Sequence, residues 1–264
     1  MLVGLIAIEA VVMICAPVLL GQTLRRRLGT TWSLFGIGAV TFVASQVVHV
    51  PLNVGLTALF AQEWMPKPPE AWRAPFNALV LGLTAGLCEE VARYLVLRLW
   101  AKEARSWRQA LMFGAGHGGV ESIILGAVVV AGLFTMSVLR DMDISTLGLS
   151  PEQAALLADQ VAEFWSTPWY MPFLALAERL MAILLHLSLA ALVLQALIRA
   201  RLWPLWAAIA WHMAVDAVAV YVNLTWGGVA SEGVLALLSV GSAGILWVTW
   251  RAGQRQVLGQ EVGS

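Results

Sequence analysis

Four groups of residues able to do chemistry stand inside apolar stretches of this chain: Glu89-Glu90-x-x-Arg93, His117 with Glu121, Arg179 with His186, and His212 with Asp216. An ionisable side chain in hydrocarbon is costly unless it is paired or faces a wet cavity, so each is a functional-site candidate by default. The residue types are also complementary. Carboxylates accept protons, imidazoles carry protons or ligate a metal, and a guanidinium balances surplus negative charge, which together point to acid–base or metal-assisted hydrolysis. Arg93 lies at i+4 from Glu89 and i+3 from Glu90, within reach of both on a helix. One Arg for two carboxylates leaves one negative charge in excess, as a general base requires.

The other groups follow the same logic. His212 and Asp216, at i,i+4, place an acid where it can fix the imidazole tautomer. His117 lies in Phe113-Gly114-Ala115-Gly116-His117-Gly118-Gly119, with Glu121 one turn further on. Glycines in a membrane helix let a neighbouring backbone come close. Arg179 and His186, seven residues apart, share a helix face. His49 and Glu9 are lone intramembrane polar residues and read as packing or cavity-lining groups. If a metal is bound, the candidate ligands are His117, His212, His186 and Glu121, with Glu90 a further possible third ligand, and Zn²⁺ suits such nitrogen and oxygen donors. No His-Glu-x-x-His, Gly-x-Ser-x-Gly or Cys/His nucleophile pattern occurs.

These groups must be positioned by membrane helices. The 264 residues are 60% hydrophobic and 12% charged, with mean hydropathy +0.79, which excludes ordinary soluble domains. Apolar runs long enough to span a bilayer lie near 2–22, 32–50, 75–97, 109–137, 171–198, 203–223 and 232–250, predicting an all-α polytopic bundle of about seven helices. Arg25–Arg27, Arg98, Lys102, Arg105, Arg108, Arg199, Arg201, Arg251 and Arg255 fall on alternate connections. The positive-inside rule then puts the N-terminus outside and the C-terminus, near Ser264, in the cytoplasm. The chain reads as one integral membrane domain, 1–264, with core catalytic helices at about 75–223. An external amphipathic segment at about 150–165 is announced by Ser150-Pro151-Glu152-Gln153, a cap with Pro at the first helical position. At ~1.5 Å per residue, Glu89, Glu90, His117, His186 and His212 all lie roughly 12–20 Å inward from the basic ends of their helices. Four helices therefore bring polar groups to a similar depth, as a single site requires.

Taken in order, Glu89-Glu90-x-x-Arg93, Phe113-x-x-x-His117 and His212-x-x-x-Asp216 resemble the three signature motifs of the CAAX-protease and bacteriocin-processing superfamily of intramembrane proteases. Gly116-His117-Gly118-Gly119-x-Glu121, and Glu178-Arg179 followed by His186, look most like its YhfC branch. The resemblance covers roughly residues 85–220. In the superfamily three residues usually separate the Glu pair from the Arg; two do here, as in the YhfC variant. The resemblance implies an intramembrane endopeptidase in which Glu89 is the water-activating base, supported by Glu90 and Arg93. His117 and His212 would then coordinate a metal or position the water and oxyanion, with Asp216 assisting His212. Members are described as metalloproteases and as glutamic-type proteases, so Zn²⁺ and no cofactor both remain open. The expected partners are the lipid bilayer and a membrane-associated or transmembrane peptide or protein substrate, without nucleic acid, and the expected location is the bacterial cytoplasmic membrane. Two other classes compete. One is a proton- or ion-coupled transporter, which often shows paired repeats absent here; the other is a non-catalytic immunity or scaffold protein.

Overall fold

The computed structural model describes residues 1–262, so Ser264, expected in the cytoplasm, lies outside the described residues. Among the described residues there are eight α-helices and no strand. They are α1 (Leu2–Leu28), α2 (Trp32–Ala61), α3 (Arg73–Leu99), α4 (Trp107–Arg140), α5 (Pro151–Trp165), α6 (Met171–Ile198), α7 (Trp203–Trp226) and α8 (Gly228–Val262). Six of them, α1, α2, α4, α6, α7 and α8, are long and apolar enough to cross a membrane. The seventh long helix, α3, has 27 residues but carries Glu89, Glu90 and Arg93 in its C-terminal half.

Two boundaries differ clearly from expectation: α8, expected over 232–250, runs over Gly228–Val262, and α2 runs past its expected end. The second span was expected over 32–50, yet α2 continues through Pro51 to Ala61. A helix-interior proline forfeits one hydrogen bond and disturbs the preceding turn. In an apolar setting every unpaired backbone group is expensive, so the rest of the ladder is kept. The chain breaks only at 62–69, where Pro66, Pro68 and Pro69 stand. The short α5 begins as its sequence dictates: Ser150 and Gln153 form a reciprocal capping box, with Pro151 in the first turn.

In the bundle, α4 packs against α1, α2 and α6, while α3 packs chiefly on α7 and also on α2. The closest approaches occur at glycines. A Cβ added to Gly116 would stand 1.9 Å from the Phe35 carbonyl oxygen, and one on Gly38 would stand 2.1 Å from that of Phe113. Side chains at either position would force α2 and α4 apart. Gly114 and Gly118 do the same for α6: their Cβ atoms would lie 2.8 Å from the backbone oxygen and from the imidazole Cδ2 of His186. The Gly-rich stretch around His117 thus seats α4 against two helices at once. The core at this level contains Leu97, Met112, Phe113, Leu189 and Val193, all fully buried.

Candidate active site

Successive helical residues point about 100° apart, and the Glu pair of α3 uses this to serve two neighbourhoods. Glu90 faces Arg93, α6 and α7. Its Oε2 lies 3.1 Å from Arg93 Nη1, both side chains having no exposure, and its Oε1 lies 2.8 Å from His212 Nδ1. Glu89 faces α2 and α4: Oε2 is 3.1 Å from His117 Nε2, and Oε1 accepts a 3.0 Å hydrogen bond from Gln46 Nε2. The guanidinium of Arg93 therefore pairs with one carboxylate of the two. Its Nη2 instead donates to His186 Nδ1 at 3.1 Å, tying α3 to α6.

The remaining groups extend the polar layer from buried His186 and His212 to the partly buried Glu121, Arg179 and Asp216. His186 Nε2 lies 2.8 Å from Glu121 Oε2, and Arg179 donates to Glu121 Oε1 at 2.9 Å and also pairs with Glu178. Glu121, on the same helix as His117, thus serves His186 across the α4–α6 interface. His212 Nε2 lies 3.4 Å from Asp216 Oδ2, so both of its ring nitrogens face carboxylates. The three imidazoles stand side by side, with ring centroids 5.0 Å apart for His117 and His186 and 5.6 Å for His186 and His212. Phe42 meets His117 edge-on at 5.3 Å. Beside this layer lies a cavity of about 130 Å³, walled by Glu89, Glu121, Arg179, His186, His212 and Asp216 together with Leu235, Ser239 and Ser242 of α8.

Residues 12–238 match the family of YhfC intramembrane metalloproteases, a match that runs from α1 into α8. The chain belongs to that family. It is also 28% identical over 193 residues to an uncharacterized membrane protein YhfC of Bacillus subtilis (strain 168), covering 72% of this chain and 73% of that protein. No solved structure matches it. Membership of the YhfC family, with six spanning helices, makes it a multi-pass membrane protein.

For a YhfC-family chain the metal is the chemical question, and the donor geometry answers in part. Ligand atoms of Glu89, His117 and His186, all buried, lie within 4.8 Å of one another. Two imidazoles and one carboxylate form a donor set of catalytic zinc sites, which keep a fourth position for water or substrate. His117 turns Nε2 toward Glu89 Oε2, while its Nδ1 is buried without a hydrogen-bond partner. The residues fit the metal in kind and spacing. Among the described residues this trio is the group found, and neither His212 nor Glu121 is part of it. His212 faces Glu90 and Asp216 and Glu121 faces His186 and Arg179; His186 is likewise held on both nitrogens, by Arg93 and Glu121, so a metal ligated there would displace the Arg93 contact at Nδ1 and leave Nε2 on Glu121. Gln46 was invisible to sequence reasoning, because one amide in an apolar helix is unremarkable. Its signal was periodic: Gln46, His49 and Asn53 fall at i, i+3 and i+7 on one face of α2.

Proposed function

We propose that this protein is an intramembrane, metal-dependent endopeptidase whose reacting centre is Glu89, His117 and His186, completed by His212 and Asp216. The observation that carries the reading is the convergence of those five side chains, from α3, α4, α6 and α7, on one polar layer beside a polar-walled cavity, with all but Asp216 buried. Zn²⁺ held by Glu89, His117 and His186 would supply a water that ionises near neutral pH and would polarise the scissile carbonyl. Gln46 donates to one oxygen of Glu89 and His117 Nε2 faces the other, an arrangement that suits a fixed anionic ligand better than the free base that the resemblance implies. His212 Nε2, on the cavity wall and 3.4 Å from Asp216, can exchange that longer contact for a carbonyl oxygen as it becomes an oxyanion. Asp216 and Glu90 hold its ring from either side. Arg93 balances Glu90 and steadies His186, so the surplus negative charge falls on the Glu89 side, where a cation would sit. The substrate is a peptide segment that reaches this cavity within the membrane.

The test is cleavage of fluorescent transmembrane peptides by the purified protein in proteoliposomes, before and after chelation and with Zn²⁺ restored. Cleavage lost on chelation, regained with Zn²⁺, and absent in Glu89→Gln and His212→Ala supports the reading. Cleavage at the wild-type rate after chelation removes the metal role, and wild-type turnover by Glu89→Gln removes the site.

A further inference from the structure

A chain of four hydrogen bonds leaves Glu89 on the side away from the imidazoles. Thr84 Oγ1 donates to Asn53 Oδ1 at 3.0 Å, and Asn53 Nδ2 donates to His49 Nε2 at 2.9 Å. With Nε2 accepting, the neutral ring carries its proton on Nδ1, which donates to Gln46 Oε1 at 3.2 Å. Gln46 Nε2 then donates to Glu89 Oε1 at 3.0 Å. All four bonds run in one direction and end on the carboxylate. Such aligned chains strengthen one another in a low-dielectric interior. Thr84 is five residues before Glu89 on α3, so both ends of the chain lie on the helix that carries Glu89; the Val80 carbonyl competes with Asn53 for its single hydroxyl proton.

Resting on the metal-dependent reading above, we propose that Gln46 and His49 are positioning residues for Glu89: the α2 chain holds Oε1 so that Oε2 is presented to His117 and His186. Each link has a reason for its chemistry. A neutral amide at Gln46 donates without adding charge beside an uncompensated carboxylate, which Glu could not do. An amide can turn end for end, and turned it would set its oxygen against Glu89. The His49 Nδ1–H prevents this by requiring the Gln46 oxygen on its own side. Asn53 in turn selects the His49 tautomer. Hydrogen-bond partners of ligating side chains typically contribute 10–100-fold to metal affinity.

The test uses the full-length protein in detergent, with zinc affinity measured by competition against a chromophoric chelator. Gln46→Met, close in shape but unable to donate, is expected to weaken zinc binding about 10–100-fold. His49→Leu should weaken it less, and His49→Gln, which keeps a donor and an acceptor in the same direction, should restore most of the loss. Gln46→Met binding zinc within twofold of wild type overturns the proposal. A second readout does not depend on function. The carboxylate stretch of Glu89, identified as the infrared difference between wild type and Glu89→Gln, should shift in Gln46→Met. Should the wild-type protein hold no zinc, the metal-dependent reading fails by itself. A shifted band then still supports the positioning role, and an unmoved band overturns it.

Discussion

Replacing Gly116 with Ala tests whether the site is built by the close approach of α2 and α4. The added Cβ would lie 1.9 Å from the Phe35 oxygen and 2.7 Å from its carbonyl carbon, whereas ordinary contact begins at 3.4 Å. The obstacle is backbone, which cannot rotate away as a side chain could. The helices must part by more than 1 Å, or the helix must distort. Overpacking a well-filled interior costs about 1–3 kcal/mol, and a contact this short belongs at the top of that range. The better helix propensity of Ala returns about 0.8–1.0 kcal/mol. The net expectation is a loss of about 2 kcal/mol in reversible unfolding, followed in mixed micelles with increasing SDS. Gly36→Ala is the control: it is on α2, its Cβ would meet nothing within 4 Å, and it should leave stability unchanged or raise it by up to ~1 kcal/mol. Because α2 also carries Phe42 and Gln46, Gly116→Ala should lower zinc affinity too, and Gly36→Ala should not. A Gly116→Ala protein as stable as wild type would refute the reasoning.

Two further outcomes follow from particular contacts. Arg93→Lys keeps the charge but cannot grip Glu90 and His186 together; losing one charge-assisted bond of about 1.5–3 kcal/mol predicts roughly 10–150-fold lower turnover with the protein still folded. Arg93→Met, which leaves Glu90 buried and uncompensated, should cost about 3–5 kcal/mol of stability, and wild-type turnover in Arg93→Lys would show that the fork is not needed. In topology, cysteines placed near Arg26 and Arg105 should be labelled from the cytoplasmic side and those near Pro68 and Glu152 from outside. A cytoplasmic Glu152 would break the orientation.

Much of the site could be seen in the chain, because hydrocarbon tolerates few ionisable residues and their depths can be counted from the helix ends. Glu89, Glu90, Arg93, His117, His186, His212 and Asp216 were all visible in this way. Their partners were not. Spacing along one helix suggested Glu121 for His117 and Arg93 for both carboxylates. The structure gives Glu121 to His186 and Arg179, and turns Glu89 away from Arg93 to His117 and Gln46. Such pairings depend on helix rotation and on which faces meet, and these are set by contacts such as Gly116 on Phe35 and Gly118 on His186. The length of α2 was missed because its apolar run was taken to end at 50; in an apolar bundle the hydrogen-bonded ladder through Pro51 is worth keeping. His49, which sequence treats as a packing residue, is one link of a hydrogen-bonded chain whose other members carry no charge.

The most direct test of the central claim is the zinc content of the purified protein and its single-site variants by elemental mass spectrometry. The account predicts about one zinc per wild-type chain, its loss in Glu89→Gln, His117→Ala and His186→Ala, and its retention in His212→Gln, whose target lies outside the ligand trio. No zinc above background in the wild type, or zinc lost from His212→Gln but kept in His186→Ala, would contradict it.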